Sequence, residues 1–164
     1  MTRPRSDLEA LREDLHSVYD GDPWHGSSIT QVLKEVDADV AARRSIPDAH
    51  TIWEIVLHMT AWTREVASRV RGAQAKSPPE DWPAPRFGGG AAAWRAASDD
   101  LADAQKEIEA AVDAVKADDL LRWIENHEGT GYTVGTVIRG LLQHHTYHEG
   151  QIAILKRAAE TAKS

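Results

Sequence analysis

The chain has 164 residues, a formal net charge of −7 at pH 7 and no cysteine. This length predicts a single domain over residues 1–164, and an acidic chain without a basic cluster argues against binding nucleic acid through its phosphates. Without cysteine, disulfides, thiolate zinc sites and cysteine nucleophiles are excluded, so a metal ion must be bound by nitrogen and oxygen atoms. No apolar signal segment is found near the N-terminus, and no apolar run approaches the roughly 20 residues that cross a bilayer. We therefore expect a cytoplasmic protein that does not contact membranes.

Three capping boxes, in which Ser or Thr is followed three residues later by Glu or Gln, predict where helices begin. They start at Ser6, Ser28 and Thr51. The boxes at Ser6 and Thr51 each open a long amphipathic helix. The second of these long helices is expected from about Ile52 to Val70. The box at Ser28 opens a short helix, and segment 40–44 either extends that helix or forms a separate turn.

The segment 76–90 contains four prolines and three glycines, which predicts a long crossover rather than a domain boundary. A third long helix is expected over about 92–116, followed by a short helical or turn segment at 118–124. The polar segment 125–132 predicts a loop, and Thr133 a cap for a last helix reaching about residue 159. No strand-like alternation is found. The pattern predicts an all-α four-helix bundle with its long crossover between the second and third long helices.

Histidines four residues apart mark the last helix. His144 and His148 share one helical face, where their Cβ atoms lie only about 5–6 Å apart, so that both imidazoles can bind one ion. His58 lies beside the apolar stripe of the second long helix and, taken alone, is equally compatible with a buried histidine that bonds a carbonyl or water. Bundles place metal sites between inward-facing side chains of several helices. The joint pattern predicts a three-histidine site with an open coordination position.

Several other residues are candidates with competing interpretations. His145 and Glu149 form a second pair four apart, and Glu149 is also expected as a surface charge. Glu54 has a capping role, and His25 lies in a loop. We keep Glu54, His25 and Glu149 as candidate acid–base groups. Tyr147 and Gln151 are expected to support the site or to pack, with packing favoured for Tyr147, and His16, His50 and His127 are expected at the surface or at helix caps. The tryptophans are expected to form mostly core or pocket wall.

The last helix also carries a family motif. Residues 144–152, His-His-Thr-Tyr-His-Glu-Gly-Gln-Ile, resemble the H-x-x-Y-H-x-G-Q-I signature of the DinB-like family, named after damage-inducible bacterial proteins. Segments 24–28, 52–58 and 81–83, together with Trp94, resemble that family in order and spacing. The resemblance extends over roughly residues 22–158.

This resemblance implies a four-helix bundle, often dimeric, with a divalent metal ion bound by His58, His144 and His148. It favours that trio over His145 with Glu149. The family often has Asp at the position of His145, so this chain carries an additional donor there. Related families include transferases and isomerases that use mycothiol or bacillithiol, whereas other members are described only as metal-dependent hydrolases.

The sequence therefore predicts a metalloenzyme that binds Zn²⁺ or Ni²⁺, with Fe²⁺ or Mn²⁺ as alternatives. The leading expectation, which draws on the resemblance, is transfer of a low-molecular-weight thiol to a small-molecule electrophile in stress response or detoxification, and the resemblance alone implies a homodimer. A first alternative is a hydrolase that uses metal-bound hydroxide, with Glu54, Glu149 or His25 as proton shuttle. A second is a non-catalytic stress-response protein, which a fourth ligand from His145 or Glu149 would favour.

Overall fold

The computed structural model describes residues 6–126 and 128–161, so that His127 lies outside the described residues. In these ranges the chain forms α-helices, two short 3₁₀ segments (Phe87–Gly89 and Ala117–Leu121) and one β-hairpin. The helices, in chain order, are α1 (Asp7–Asp20), α2 (Ile29–Leu33), α3 (Ala38–Ala42), α4 (Ile52–Val70), α5 (Gly90–Asp113) and α6 (Val134–Thr161).

The four long helices pack in a ring. Helix α4 contacts α5 and α6, and α1 completes the ring by contacting the same two helices. The connection between α4 and α5 is the long crossover, and α3 is a separate short helix rather than an extension of α2. The prediction of an all-α bundle with this crossover is confirmed. None of the described helices is long and apolar enough to cross a bilayer.

Side-chain caps fix the starts of three of the four long helices, α1, α4 and α6, as the sequence predicts, whereas α5, with Gly89 at its N-cap position, begins without one. The Thr51 N–H donates to Glu54 Oε2 at 2.6 Å, and the Glu54 N–H donates to Thr51 Oγ1 at 3.2 Å. Ser6 and Glu9 make the same reciprocal pair at α1. At α6 the N–H of Thr136 donates to Thr133 Oγ1 at 3.2 Å. These bonds satisfy N–H groups that have no partner within the helix.

A small β-hairpin corrects the prediction that the chain has no strands. Strands β1 (Trp123–Glu125) and β2 (Gly131–Thr133) pair antiparallel, with Ile124 opposite Tyr132. Three residues per strand are too few for an alternating pattern to show in the sequence. A Cβ atom added at Gly131 would lie 2.1 Å from the carbonyl oxygen of Ile124. Only glycine therefore fits this close approach of the two strands.

The buried side chains explain why α4 and α6 are held firmly together. Met59 of α4 and Ile138 and Ile152 of α6 are fully buried, and Trp53 is only 2% exposed. Two tryptophans are exceptions to the expectation that most form core or pocket wall: Trp24 is fully exposed in the loop after α1, and Trp123 on β1 is 57% exposed. Residue type alone does not tell a buried tryptophan from an exposed one, so the sequence did not distinguish these positions.

Tyr19, near the end of α1, gives the bundle a predicted sensitivity to alkaline pH. Burial, with the nearby charges of Asp20 and Glu109, raises the pKa of Tyr19 from 10.0 to about 12. The folded state holds this proton more tightly than the unfolded state. The contribution of Tyr19 to the free energy of unfolding is therefore complete below pH 10 and is lost as the pH rises from 10 to 12. Urea unfolding should therefore show a smaller loss of stability over this range in Tyr19→Phe than in the wild type. Equal losses in both proteins would contradict this assignment.

Candidate metal centre

Helices α4 and α6 bring three histidines to one point. His58 comes from α4, and His144 and His148 lie one turn apart on α6. Their three ligand atoms all lie within 4.8 Å of one another, and among the described residues no carboxylate joins the group. His58 and His148 are buried, and His144 is partly buried. The spacing on α6 and the position on α4 thus converge as the sequence predicts.

Hydrogen bonds on the outer side of the cluster fix how two of the rings are protonated. His58 Nδ1 lies 2.7 Å from the main-chain carbonyl oxygen of Asp81. Because a carbonyl oxygen only accepts, Nδ1 carries the proton, and the lone pair of a neutral ring then lies on Nε2. His148 Nδ1 lies 2.6 Å from Gln151 Oε1, which selects the same tautomer. Both Nε2 lone pairs are therefore directed into the cluster.

The inward-facing nitrogens lack enough protons to satisfy one another. His144 Nε2 lies 2.9 Å from Nε2 of His58 and 3.1 Å from Nε2 of His148. A single N–H on His144 points at only one of these two lone pairs, so the other faces a nitrogen without a hydrogen bond between them. One cation at the centre would satisfy all three nitrogens at once. This arrangement fits a divalent metal ion.

Burial keeps the imidazoles of His144 and His148 neutral. Burial, together with the neighbouring histidines, lowers the pKa of His144 to about 3. Burial also lowers the pKa of His148 to about 4, although its bond to Gln151 acts in the opposite direction. Neutral imidazole is the form that binds metal ions, so these two side chains need not lose a proton at pH 7. Tetrahedral zinc with bonds of roughly 2.0–2.1 Å would place its nitrogens about 3.4 Å apart, slightly wider than the two short separations here.

The crossover between α4 and α5 forms one wall of the centre. The Trp82 ring stacks on His58, with 3.9 Å between ring centroids and an angle of 9° between the planes. The same indole stacks on His50 at 3.5 Å. Trp62 Nε1 donates to Asp81 Oδ1 at 2.6 Å, which holds the crossover against α4. Asp81 therefore positions His58 through its main chain, a role that no side-chain pattern in the sequence indicates.

The competing pair on α6 is directed elsewhere. His145 is fully buried, and its Nε2 lies 3.0 Å from Thr63 Oγ1 on α4. Burial lowers the pKa of His145 to about 3, so it acts as a neutral core side chain. Glu149 instead lies near His25, with 3.9 Å between Oε2 and Nδ1. Neither residue belongs to the three-histidine cluster.

The three candidate acid–base groups also lie outside the cluster. Glu54 caps α4 and pairs with Arg44 at 3.1 Å; burial alone would raise its pKa, but the bonds from Thr51 and the Arg44 charge hold that pKa below its usual value. Burial raises the pKa of Glu149, and nearby His25 opposes the rise. His25 lines a different surface cavity, beside Leu142 and Thr146 of α6. An acid–base role for these residues stays a prediction.

A cavity of about 640 Å³ opens directly beside the cluster. Its wall includes His58 and His144, together with apolar side chains of both helices and the two arginines Arg69 and Arg139. A volume of this size suits a small organic molecule. Sequence reasoning did not identify either arginine, because their spacing from the histidines follows no motif.

Comparison with known proteins places this geometry in a family. The family model described as the DinB superfamily matches residues 24–152. The chain belongs to the DinB superfamily. No curated protein matches the chain, and no solved structure does. The DinB match includes all three clustered histidines and the Asp81 segment that orients His58. The family resemblance drawn from the motif in residues 144–152 is thereby confirmed.

Proposed function

We propose that this DinB-superfamily protein is a metal-dependent enzyme that transfers a low-molecular-weight thiol to an electrophilic small molecule. His58, His144 and His148 would hold Zn²⁺ or Ni²⁺, and the cavity beside them would take the substrates. The observation that carries the proposal is the convergence of three imidazole nitrogens beside that cavity. A homodimer in a stress or detoxification role is part of the proposal and rests on the family resemblance alone.

The number of ligands supports an enzyme rather than a structural site. Structural zinc sites have four protein ligands, whereas catalytic sites have three and an open position. The two residues that would supply a fourth ligand, His145 and Glu149, contact Thr63 and His25 instead. The non-catalytic alternative is therefore the less supported one.

A divalent cation bound by these histidines would lower the pKa of a coordinated thiol and favour its nucleophilic thiolate form. The protein's own contribution is positioning. Asp81 and Gln151 hold two imidazoles so that their lone pairs point inward, and Trp62 and Trp82 limit the access of water to His58. In the transfer itself, the thiol sulfur bonds to the electrophilic carbon, that carbon releases its leaving group, and the thiol proton passes to solvent.

Thiol transfer also fits the carboxylates around the site better than hydrolysis does. A hydrolase commonly uses a carboxylate base beside the reacting water. At the cavity, Asp81 Oδ1 accepts a bond from Trp62, while Glu54 is committed to its cap and to Arg44. A thiolate needs no such base once it is formed.

The test mixes zinc- or nickel-loaded protein with glutathione, mycothiol or bacillithiol and a chlorodinitrobenzene. We expect the coloured thioether and chloride to form with at least one thiol. Chelation should stop the reaction and added metal should restore it. The matched variants are His148→Ala, which should be inactive, and His16→Ala, which alters an exposed histidine on α1 and should remain active.

Two results would overturn the proposal. Metal-loaded protein that turns over none of the thiols would reject transfer. Metal-dependent cleavage of an ester or amide under the same conditions, without thiol transfer, would identify the hydrolase instead.

A further inference from the structure

The cavity beside the histidine cluster is elongated along α6. Its α6 wall runs from Thr136 to His144. These eight steps along a helix correspond to about 12 Å. Gly140 lies between the two ends, and a Cβ atom added there would meet nothing within 4 Å. The missing side chain leaves the floor of the cavity open along this path.

The middle of the cavity is apolar. Val66 of α4 and Val137 and Leu141 of α6 line it, and the Trp62 ring adds an aromatic wall near His58. A chain of methylene groups or a flat ring can remove this surface from water at a gain of roughly 25 cal/mol per Å². The cavity thus suits a molecule whose centre is apolar.

Three charged side chains line the cavity, and two of them are already committed. Arg69 Nε donates to buried Glu65 at 2.9 Å, and its guanidinium also bonds the Lys76 carbonyl oxygen. Asp81 accepts a hydrogen bond from Trp62 and lies 3.3 Å from His58 Nδ1. Neither group is available for a ligand without losing these contacts.

Arg139 is the charged group that remains available. Its only ion-pair partner among the described residues is Asp7, at 3.7 Å, and the two side chains are 52% and 82% exposed. Exposed pairs of this kind contribute little to stability, so a ligand anion can replace Asp7 at little cost. The planar guanidinium matches a carboxylate with two parallel hydrogen bonds.

The position of Arg139 sets a minimum length for the ligand. It lies five residues before His144, which is about 7.5 Å along the helix axis and about 140° around it. A molecule with a metal-binding atom at the cluster and an anion at Arg139 therefore spans at least this axial distance, which an extended thiol with six carbon atoms does.

We propose that the cavity selects an acidic thiol, with its sulfur at the histidine cluster, its apolar centre over Gly140, and its carboxylate bound by Arg139. Only the binding of the ligand's sulfur rests on the proposed function. The binding of its carboxylate depends on Arg139 and is testable without a metal ion.

The experiment compares 6-mercaptohexanoate with 6-mercaptohexanol by calorimetry on zinc-loaded protein. The two thiols differ only in the terminal group. Wild-type protein should bind the acid at least about tenfold more tightly, because hydrogen bonds between charged groups are stronger than those to a neutral hydroxyl. Arg139→Gln should remove that difference by weakening the acid alone, and Asp7→Asn should strengthen binding of the acid.

Two further variants control the comparison. Arg157→Gln removes an exposed arginine of the same helix that lies outside the cavity and should leave both affinities unchanged. Gly140→Leu fills the open floor and should weaken both thiols while the protein retains its zinc. Circular dichroism and zinc content are recorded for every variant, so that a folding defect is recognised.

Equal affinity for acid and alcohol in the wild type would overturn the inference while leaving the metal site intact. So would an unchanged affinity for the acid in Arg139→Gln. If the protein binds no zinc, the proposed function fails, and the carboxylate end is tested on metal-free protein with hexanoate and hexanol. The Trp62 indole N–H signal in NMR should then respond to hexanoate in the wild type but not in Arg139→Gln, and no response in either protein would reject the anion site.

Discussion

Replacing His148 with alanine should lower the zinc or nickel affinity by more than about 100-fold while leaving the helical content unchanged. Groups that only orient a metal ligand already contribute about 10–100-fold, and His148 would supply one of three ligands. Its Nε2 lies 3.1 Å from that of His144, so its loss leaves two imidazoles. The measurement is metal content per chain after equilibration and gel filtration, which should fall from about one ion to nearly none.

The control for this experiment is His16→Ala on α1. His16 is 66% exposed and lies beside Glu109, so its removal changes the histidine count without touching the centre. It should retain the wild-type metal content. Equal metal in the wild type, His148→Ala and His58→Ala would reject the trio as the binding site.

Trp53→Ala should destabilise the protein by about 3–5 kcal/mol, the cost of removing a large aromatic side chain from a packed core. Trp53 is 2% exposed on α4 and meets Trp94 of α5 edge to face, with 5.4 Å between ring centroids. The change leaves a cavity between the two helices that the crossover joins. Urea unfolding followed by circular dichroism measures the loss.

Trp24→Ala provides the matched comparison, because Trp24 is fully exposed. Its free energy of unfolding should stay within about 0.5 kcal/mol of the wild type, as for most surface substitutions. Similar losses in the two variants would contradict the described packing of α4 against α5.

The bundle and its histidines were predictable from the sequence because both depend on spacing along a single helix. The cap at Thr51 fixes where α4 begins, and the four-residue interval between His144 and His148 fixes a shared face on α6. His58 was less certain, since a buried histidine bonded to a carbonyl has the same sequence pattern. In the structure His58 makes both contacts: Nδ1 lies beside the carbonyl oxygen of Asp81, and Nε2 faces His144 in the cluster.

Features that depend on contacts between distant segments were not predictable. The Asp81 carbonyl orients His58 through the main chain, which carries no residue-specific signal. The hairpin of β1 and β2 is too short to show alternation, and Gly131 within it resembles any loop glycine. Arg139 faces the cavity only because α4, α6 and the crossover enclose that space. Trp24 is exposed although its large aromatic side chain favours burial.

X-ray absorption spectroscopy of the zinc-loaded protein gives the most direct test of the central claim, that three imidazoles from two helices surround one ion and leave a position free. The expected spectrum has three nitrogen neighbours at roughly 2.0–2.1 Å with the outer-shell pattern of imidazole, and one further light atom that sulfur replaces when a thiol is added. A spectrum with one imidazole or none, or with four protein ligands that no added thiol displaces, would contradict it.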